Sequence, residues 1–216
     1  MVLFMYTILE RNENSIIKDR SEFIGIVVHV TSLNDVERYL KSIKKEYPKA
    51  KHYCYAYIIG DKKKGFDDGE PSKTAGRPLL ELLERKNLDE VLLVVVRYFG
   101  GILLGASRLL STYLEAGVAT LDGADFLSIE NKYLYMCELS YKDFDDFKRF
   151  VKSFSFSLEN IVYETKITLE VLADESFGEQ IANNFPHINV EVYGKRKVYR
   201  KIWLNKVNMN YAAKKY

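Results

Sequence analysis

The sequence predicts an α+β protein built from two units. Short β-branched apolar runs alternate with stretches whose apolar residues recur every three or four positions, the signatures of strand and helix. After residue 130 the elements follow in the order βαββαβ. The charge balance also shifts along the chain. Residues 1–122 carry 18 Lys+Arg against 17 Asp+Glu, residues 123–193 carry 6 against 13, and residues 194–216 carry 8 against none. The predicted units are residues 1–125 and 130–216, divided by pattern and charge rather than by a Gly/Pro-rich hinge.

Tyr6-Thr7-Ile8-Leu9 reads as a short strand that residues 10–14 break. Residues 23–30 are apolar on both faces, as in a buried strand. Ser32 with Asp35 three positions on forms a capping-box-like start. Val36, Leu40, Ile43 and Tyr47 then make one face of a helix that Pro48 stops. Residues 53–60 are the next strand, and residues 61–71 a polar loop. Thr74 is positioned to cap a second helix, with Pro78 tolerated in its first turn and Leu79, Leu80, Leu82 and Leu83 as its apolar face. Residues 91–96 are the most hydrophobic strand, hence a central one. Gly100-Gly101 turns the chain into a helix over residues 106–121, ended by Asp122-Gly123.

In the second unit, residues 133–141 read as a strand. Residues 143–154 form a helix with Phe144, Phe147, Phe150, Val151 and Phe154 on one side. Residues 157–163 and 166–172 are strands. Residues 175–185 are a helix ended by Pro186, and residues 189–193, continuing to Trp203, are extended. This order is that of a ferredoxin-like domain.

With 47% hydrophobic and 29% charged residues in 216, the chain can bury a real core. No apolar run approaches the roughly 20 residues that span a bilayer, so no membrane partner is expected. The apolar start at residues 1–6 lacks a basic n-region and a small-residue cleavage site, so no signal peptide is expected. Cys54 and Cys137 lie 83 positions apart and form neither a CxxC pair nor a disulfide framework, which makes a reducing cytoplasm the expected compartment.

Two segments carry candidate chemistry. The first holds Asp67, Asp68, Gly69, Glu70, Pro71 and Ser72, then Thr74, Ala75, Gly76, Arg77 and Pro78. Its carboxylates, with His52 upstream, could run acid–base chemistry or hold a metal. Their spacing matches no metal motif, and no metal or cofactor is expected. The alternatives are turn chemistry, or a pairing of Glu70 with Arg77 or Arg97 that ties two loops together.

The second segment runs from Arg97 through Gly100, Gly101 and Gly105 into Ser107 and Arg108. A strand leading through glycines to a helix N-terminus suits an anion. A phosphate-binding P-loop is excluded, because Ala106 stands where GxxxxGK[ST] requires lysine. The other reading is that these glycines serve tight packing and positive φ. Arg97 follows directly on the buried strand and suits either a ligand contact or a structural ion pair.

Cys54 sits among apolar strand residues and is expected to be a buried, inert thiol. No GxSxG elbow exists, and His29 and His187 have no evident partner. The cationic end, with Lys195, Arg196, Lys197, Arg200, Lys201 and Lys206 around Tyr199 and Trp203, suits phosphate contact with base stacking. It equally suits a solvated edge strand whose lysines prevent sheet-to-sheet association. Lys62-Lys63-Lys64 reads as a solvated turn.

Asp67-Asp68-Gly69-Glu70-Pro71-Ser72, Thr74-Ala75-Gly76-Arg77-Pro78, and the run Val95-Val96-Arg97-Tyr98-Phe99-Gly100-Gly101-Ile102-Leu103-Leu104-Gly105 together resemble the signature of the IMPACT family, over residues 15–122. Lys73, Ser107-Arg108 and Ser111-Thr112-Tyr113 depart from that pattern. The remainder is similar to the ferredoxin-like domain that bacterial members carry, itself like a domain of elongation factor G. The resemblance implies an N-terminal domain of the ribosomal protein S5 domain 2-like fold. It also implies a translation-linked role, since eukaryotic relatives regulate translation on the pathway that senses amino-acid starvation. The expected function is therefore non-enzymatic regulation through RNA or the ribosome. Two alternatives stand: an enzyme or sensor that takes a phosphorylated small molecule at the glycine loop, and a module that docks a protein partner.

Overall fold

A strand with six consecutive apolar side chains needs a sheet neighbour on each edge and a packed layer on each face. In the computed structural model, which describes residues 5–154 and 156–202, residues 91–96 meet that demand. Two compact units divide between Ser128 and Ile129, and the chain returns to the first unit at Arg200.

The first unit contains β1 (Met5–Ile8), β2 (Asn12–Lys18), β3 (Ser21–His29), α1 (Leu33–Glu46), β4 (His52–Ile59), β5 (Lys62–Phe66), α2 (Gly76–Arg85), β6 (Val91–Tyr98) and α3 (Ala106–Asp122). Its sheet has the order β2-β3-β6-β4-β5, with every neighbouring pair antiparallel and β6 at the centre. The period of two along β6 sorts its side chains into two layers. Val91, Leu93 and Val95 join Leu79, Leu83, Leu109 and Tyr113 of α2 and α3. Leu92, Val94 and Val96 join Val36 and Ile43 of α1 on the opposite face. Arg97 follows with the parity of Val95, and so faces the α2–α3 layer.

The start of α1 is as expected: the Asp35 N–H donates to Ser32 Oγ, and the Asp35 carboxylate accepts from the Ser32 N–H. Two strands were not expected. Residues 10–14 do not simply break the chain, since β2 begins at Asn12 and pairs with β3 through a two-residue turn at Asp19-Arg20, both at positive φ. Likewise β5 lies inside the expected polar loop, paired with β4. Both are edge strands with largely solvated side chains, and so lack apolar alternation. The α2 start also differs. Its N-cap is Ala75, and the Thr74 hydroxyl turns back to donate to the Pro71 carbonyl at 2.6 Å.

The second unit begins within β7 (Phe126–Leu139) and continues through α4 (Tyr141–Ser153), β8 (Ser157–Tyr163), β9 (Ile167–Ala173), α5 (Phe177–Asn184) and β10 (Asn189–Lys201). β7 starts seven residues before the expected strand. Its strands pair in the order β10-β7-β9-β8. Alternate residues Tyr135, Cys137 and Leu139 of β7 and Ile167, Leu169 and Val171 of β9 bury against Phe147, Val151, Phe177 and Ile181 of the two helices. The phenylalanines of the expected α4 face meet α5 edge to face, Phe147 on Phe177 and on Phe185. Among the described residues no helix is long and apolar enough to cross a membrane.

Candidate functional site

The sheet register brings the two motif segments together. Arg97 of β6 lies between Phe23 of β3 and His52 of β4. The loop after β5 folds over it and brings Glu70, whose Oε1 accepts from Arg97 Nη1 at 2.6 Å and from the Tyr113 hydroxyl at 2.8 Å. Arg97 Nη2 reaches Ser21 Oγ at 3.5 Å, and the guanidinium carbon lies 5.1 Å from the Phe23 ring centre and 5.4 Å from that of Phe99. His52 Nδ1–H donates to the Asp68 carbonyl at 2.8 Å, with Nε2 3.8 Å from Glu70. Glu70 and Arg97 are 9% and 5% exposed. Their charges satisfy each other inside the fold, which supports the ion-pair reading of Arg97 and the loop-tying reading of Glu70. Arg77 instead pairs with Glu81 at 2.8 Å.

The remaining motif residues build this enclosure. The Asp67 carboxylate caps the start of α2: Oδ1 accepts from the N–H groups of Ala75 and Gly76 at 2.9 and 2.8 Å, and Oδ2 from Lys73 at 3.0 Å. That is the cap expected of Thr74, supplied from the loop. Asp68 Oδ2 accepts from the Tyr53 N–H at 2.7 Å. Gly69 takes φ +83°, and Lys73 holds φ 66°, a conformation that favours glycine. Gly76 abuts β5 backbone to backbone, so a Cβ there would stand 2.2 Å from the Phe66 nitrogen. Pro78 is buried in the first turn of α2, while Pro71 and Ser72 remain exposed. The Cys54 thiol, fully buried, donates to the Asp67 carbonyl at 3.0 Å and is pushed far above its ordinary pKa by desolvation. The Tyr113 hydroxyl is pushed up by the same cause. The cluster has the chemistry of a closed structural lock.

Tyr113, His29 and His187 acquire partners that the sequence did not name. Tyr113 sits one turn from Leu109 and Ala116 on the apolar face of α3, so its helical position was readable while its hydroxyl contact depended on the loop. His29 Nδ1 lies 2.9 Å from Thr7 Oγ1, and His187 Nε2 3.1 Å from Asp143. Among the described residues no group of three or more His, Cys, Asp or Glu is placed to hold a metal.

The glycine loop stands open. Gly100 is pinned by its N–H donating to Ser21 Oγ at 3.1 Å, while Gly101, Ile102, Leu103, Gly105, Ser107 and Arg108 are exposed. Gly105 takes φ 74° at the N-cap of α3. Arg108 pairs with Asp19 at 3.0 Å. The turn that the sequence offered as an anion site is solvent-exposed, with Leu103 at 87% exposure.

On β10, Lys195, Arg196, Lys197, Arg200 and Lys201 are all exposed, and Tyr193 and Tyr199 present half of their surface or somewhat less. Lys195 Nζ lies 4.6 Å from the Tyr133 ring centre, and Arg196 pairs with Glu159 at 2.7 Å. Trp203 and Lys206 lie outside the described residues. Between α2 and α3 runs a groove of about 360 Å³, floored by Pro78, Leu82, Leu110 and Leu114.

Comparison with known proteins gives a consistent picture. The family model described as the Impact N-terminal domain matches residues 19–121. The chain is 33% identical over 176 residues to "IMPACT family member YvyE" of Bacillus subtilis, covering 79% of this chain and 80% of that protein. It is 43% identical over 99 residues to an IMPACT family member of Haemophilus influenzae, covering 44% and 48%. It is 38% identical over 97 residues to "Protein IMPACT" of Rattus norvegicus, covering 41% and 30%. A solved structure described as a hypothetical protein matches with a TM-score of 0.61 at 23% identity, over 90% of this chain and 99% of that one.

Proposed function

The chain belongs to the IMPACT family, and from that premise we propose that it is a non-enzymatic, translation-linked cytoplasmic protein that binds structured RNA, on or off the ribosome. We assign the first unit to the ribosomal protein S5 domain 2-like fold. We assign the second to the ferredoxin-like fold, on its βαββαβ order and its β10-β7-β9-β8 pairing. The observation that carries the RNA reading is β10, a strand whose five cations within residues 195–201 are all exposed, with Tyr193 and Tyr199 beside them. Cations on an extended strand track phosphates, and exposed aromatic rings offer stacking surfaces to unpaired bases.

The enzymatic alternative has little left to work with. Of the groups it would use, Glu70 and Arg97 are engaged with each other and buried, and the Asp68 carboxylate accepts from the Tyr53 N–H. The test is equilibrium binding of the purified chain to ribosomes and to a protein-free structured RNA across a salt series. The reading expects log K to fall linearly with log salt, and Lys195→Ala and Lys197→Ala to reduce that slope by about 1 each. Salt-independent binding, or none, refutes it.

A further inference from the structure

We propose that the groove between α2 and α3 docks an acidic amphipathic helix of a partner protein. This goes beyond RNA binding by β10 and does not depend on it. The groove's floor is apolar: Pro78 and Leu82 from α2, Leu110 and Leu114 from α3. Leu110 is 38% exposed, a large apolar side chain at the mouth of a groove rather than in the core.

The rim is cationic. Lys73, Arg77 and Arg85 surround the floor, and one carboxylate, Glu81, stands among them. Arg77 Nε donates to Glu81 Oε1 at 2.8 Å, and Arg85 Nη2 lies 3.9 Å from Glu81 Oε2. The two arginine side chains are 61% and 64% exposed. One carboxylate shared between two five-donor forks leaves donors directed to solvent and a net positive rim.

Spacing selects the occupant. Arg77 and Arg85 are eight positions apart on one helix edge, about 12 Å at 1.5 Å per residue. Carboxylates seven or eight residues apart on a helix laid along α2 match that interval. Leu110 and Leu114, one turn apart, accept apolar residues at i and i+3 or i+4 of the same helix. The ten residues of α2 bound the contact at about three turns. A phosphate backbone would satisfy the arginines and leave the leucine floor wet, so the apolar floor favours a protein segment over RNA.

The test is selection of a displayed library of random 16-residue peptides against the full chain. The counter-selection uses an Arg77→Glu, Arg85→Glu, Leu110→Ser variant whose urea midpoint matches the parent. Enriched peptides are expected to be acidic with apolar residues at helical spacing. Fluorescence anisotropy with one such synthetic peptide should show at least tenfold weaker binding to Arg85→Glu alone and to Leu110→Ser alone. No enrichment over the variant, or enrichment of basic or uncharged peptides, overturns the proposal. So does a structured RNA hairpin whose affinity falls with the arginine reversals but not with Leu110→Ser. The Lys195 and Lys197 variants should bind the peptide unchanged, which separates this failure from failure of the RNA reading.

Discussion

Replacing Glu70 by glutamine keeps the shape of the side chain and removes the charge that faces Arg97. The Arg97 side chain, 6% exposed, would then hold its guanidinium among Phe23, Phe99 and Tyr113 with no counter-ion at 2.6 Å. Removing one member of a buried pair costs about 3–5 kcal/mol, because the survivor's desolvation is no longer offset. With an m value of about 2 kcal/mol per molar, that moves the urea midpoint of the first unit down by about 1.5–2.5 M. Unfolding followed by far-UV circular dichroism reads the shift. Replacing both partners, Glu70→Gln with Arg97→Met, should recover most of the loss, since an apolar substitute for a buried pair is often neutral or better. A single variant within about 0.5 kcal/mol of the parent would refute the closed lock, because it would place the Arg97 charge in contact with water or an exchangeable anion.

Three further outcomes follow from the same geometry. Burial pushes the Cys137 thiol up to about 12 and the Cys54 thiol higher still, so a maleimide at neutral pH should label neither until urea unfolds the chain. Gly76→Ala should destabilise the first unit by at least about 1–3 kcal/mol in the same urea titration, since its Cβ meets the backbone of Phe66 rather than a yielding side chain. The Asp35 carboxylate is held below its ordinary 3.8, first by the Ser32 hydroxyl and then by the Thr31 N–H. Its contribution is therefore present above pH 3.8 and lost as pH falls through the lower folded value. Asp35→Asn should accordingly shrink the stability difference between pH 6 and pH 2.5, measured by thermal unfolding.

Much of the fold was legible where burial imposes a period. The central strand was announced by six apolar residues in succession, α1 by its capping box, and the second unit by Phe144, Phe147, Phe150 and Val151 at helical spacing. The missed strands, β2 and β5, are edges: Ile17 is 75% exposed, and the three lysines of β5 are all solvated, so pairing alone makes them strands. The candidate site was half legible. Its residues could be named from Asp67 to Arg97, and Glu70–Arg97 was among the pairings open to them. Which pairing forms depends on register, since Arg97 falls between Phe23 and His52 only when three strands are aligned. The same holds for Asp67, whose role as the cap of α2 arises when the loop folds back on the helix start. Glycines at 100, 101 and 105 pointed to a turn, and the sequence could not tell an enclosed turn from an open one.

The most direct test of the account is a salt titration of ribosome binding by the parent chain beside Lys195→Ala/Lys197→Ala. The account predicts tight binding at low salt, a steep linear loss on a log–log plot, and a slope smaller by about 2 in the double variant with unchanged unfolding. Identical slopes for the two proteins would contradict it.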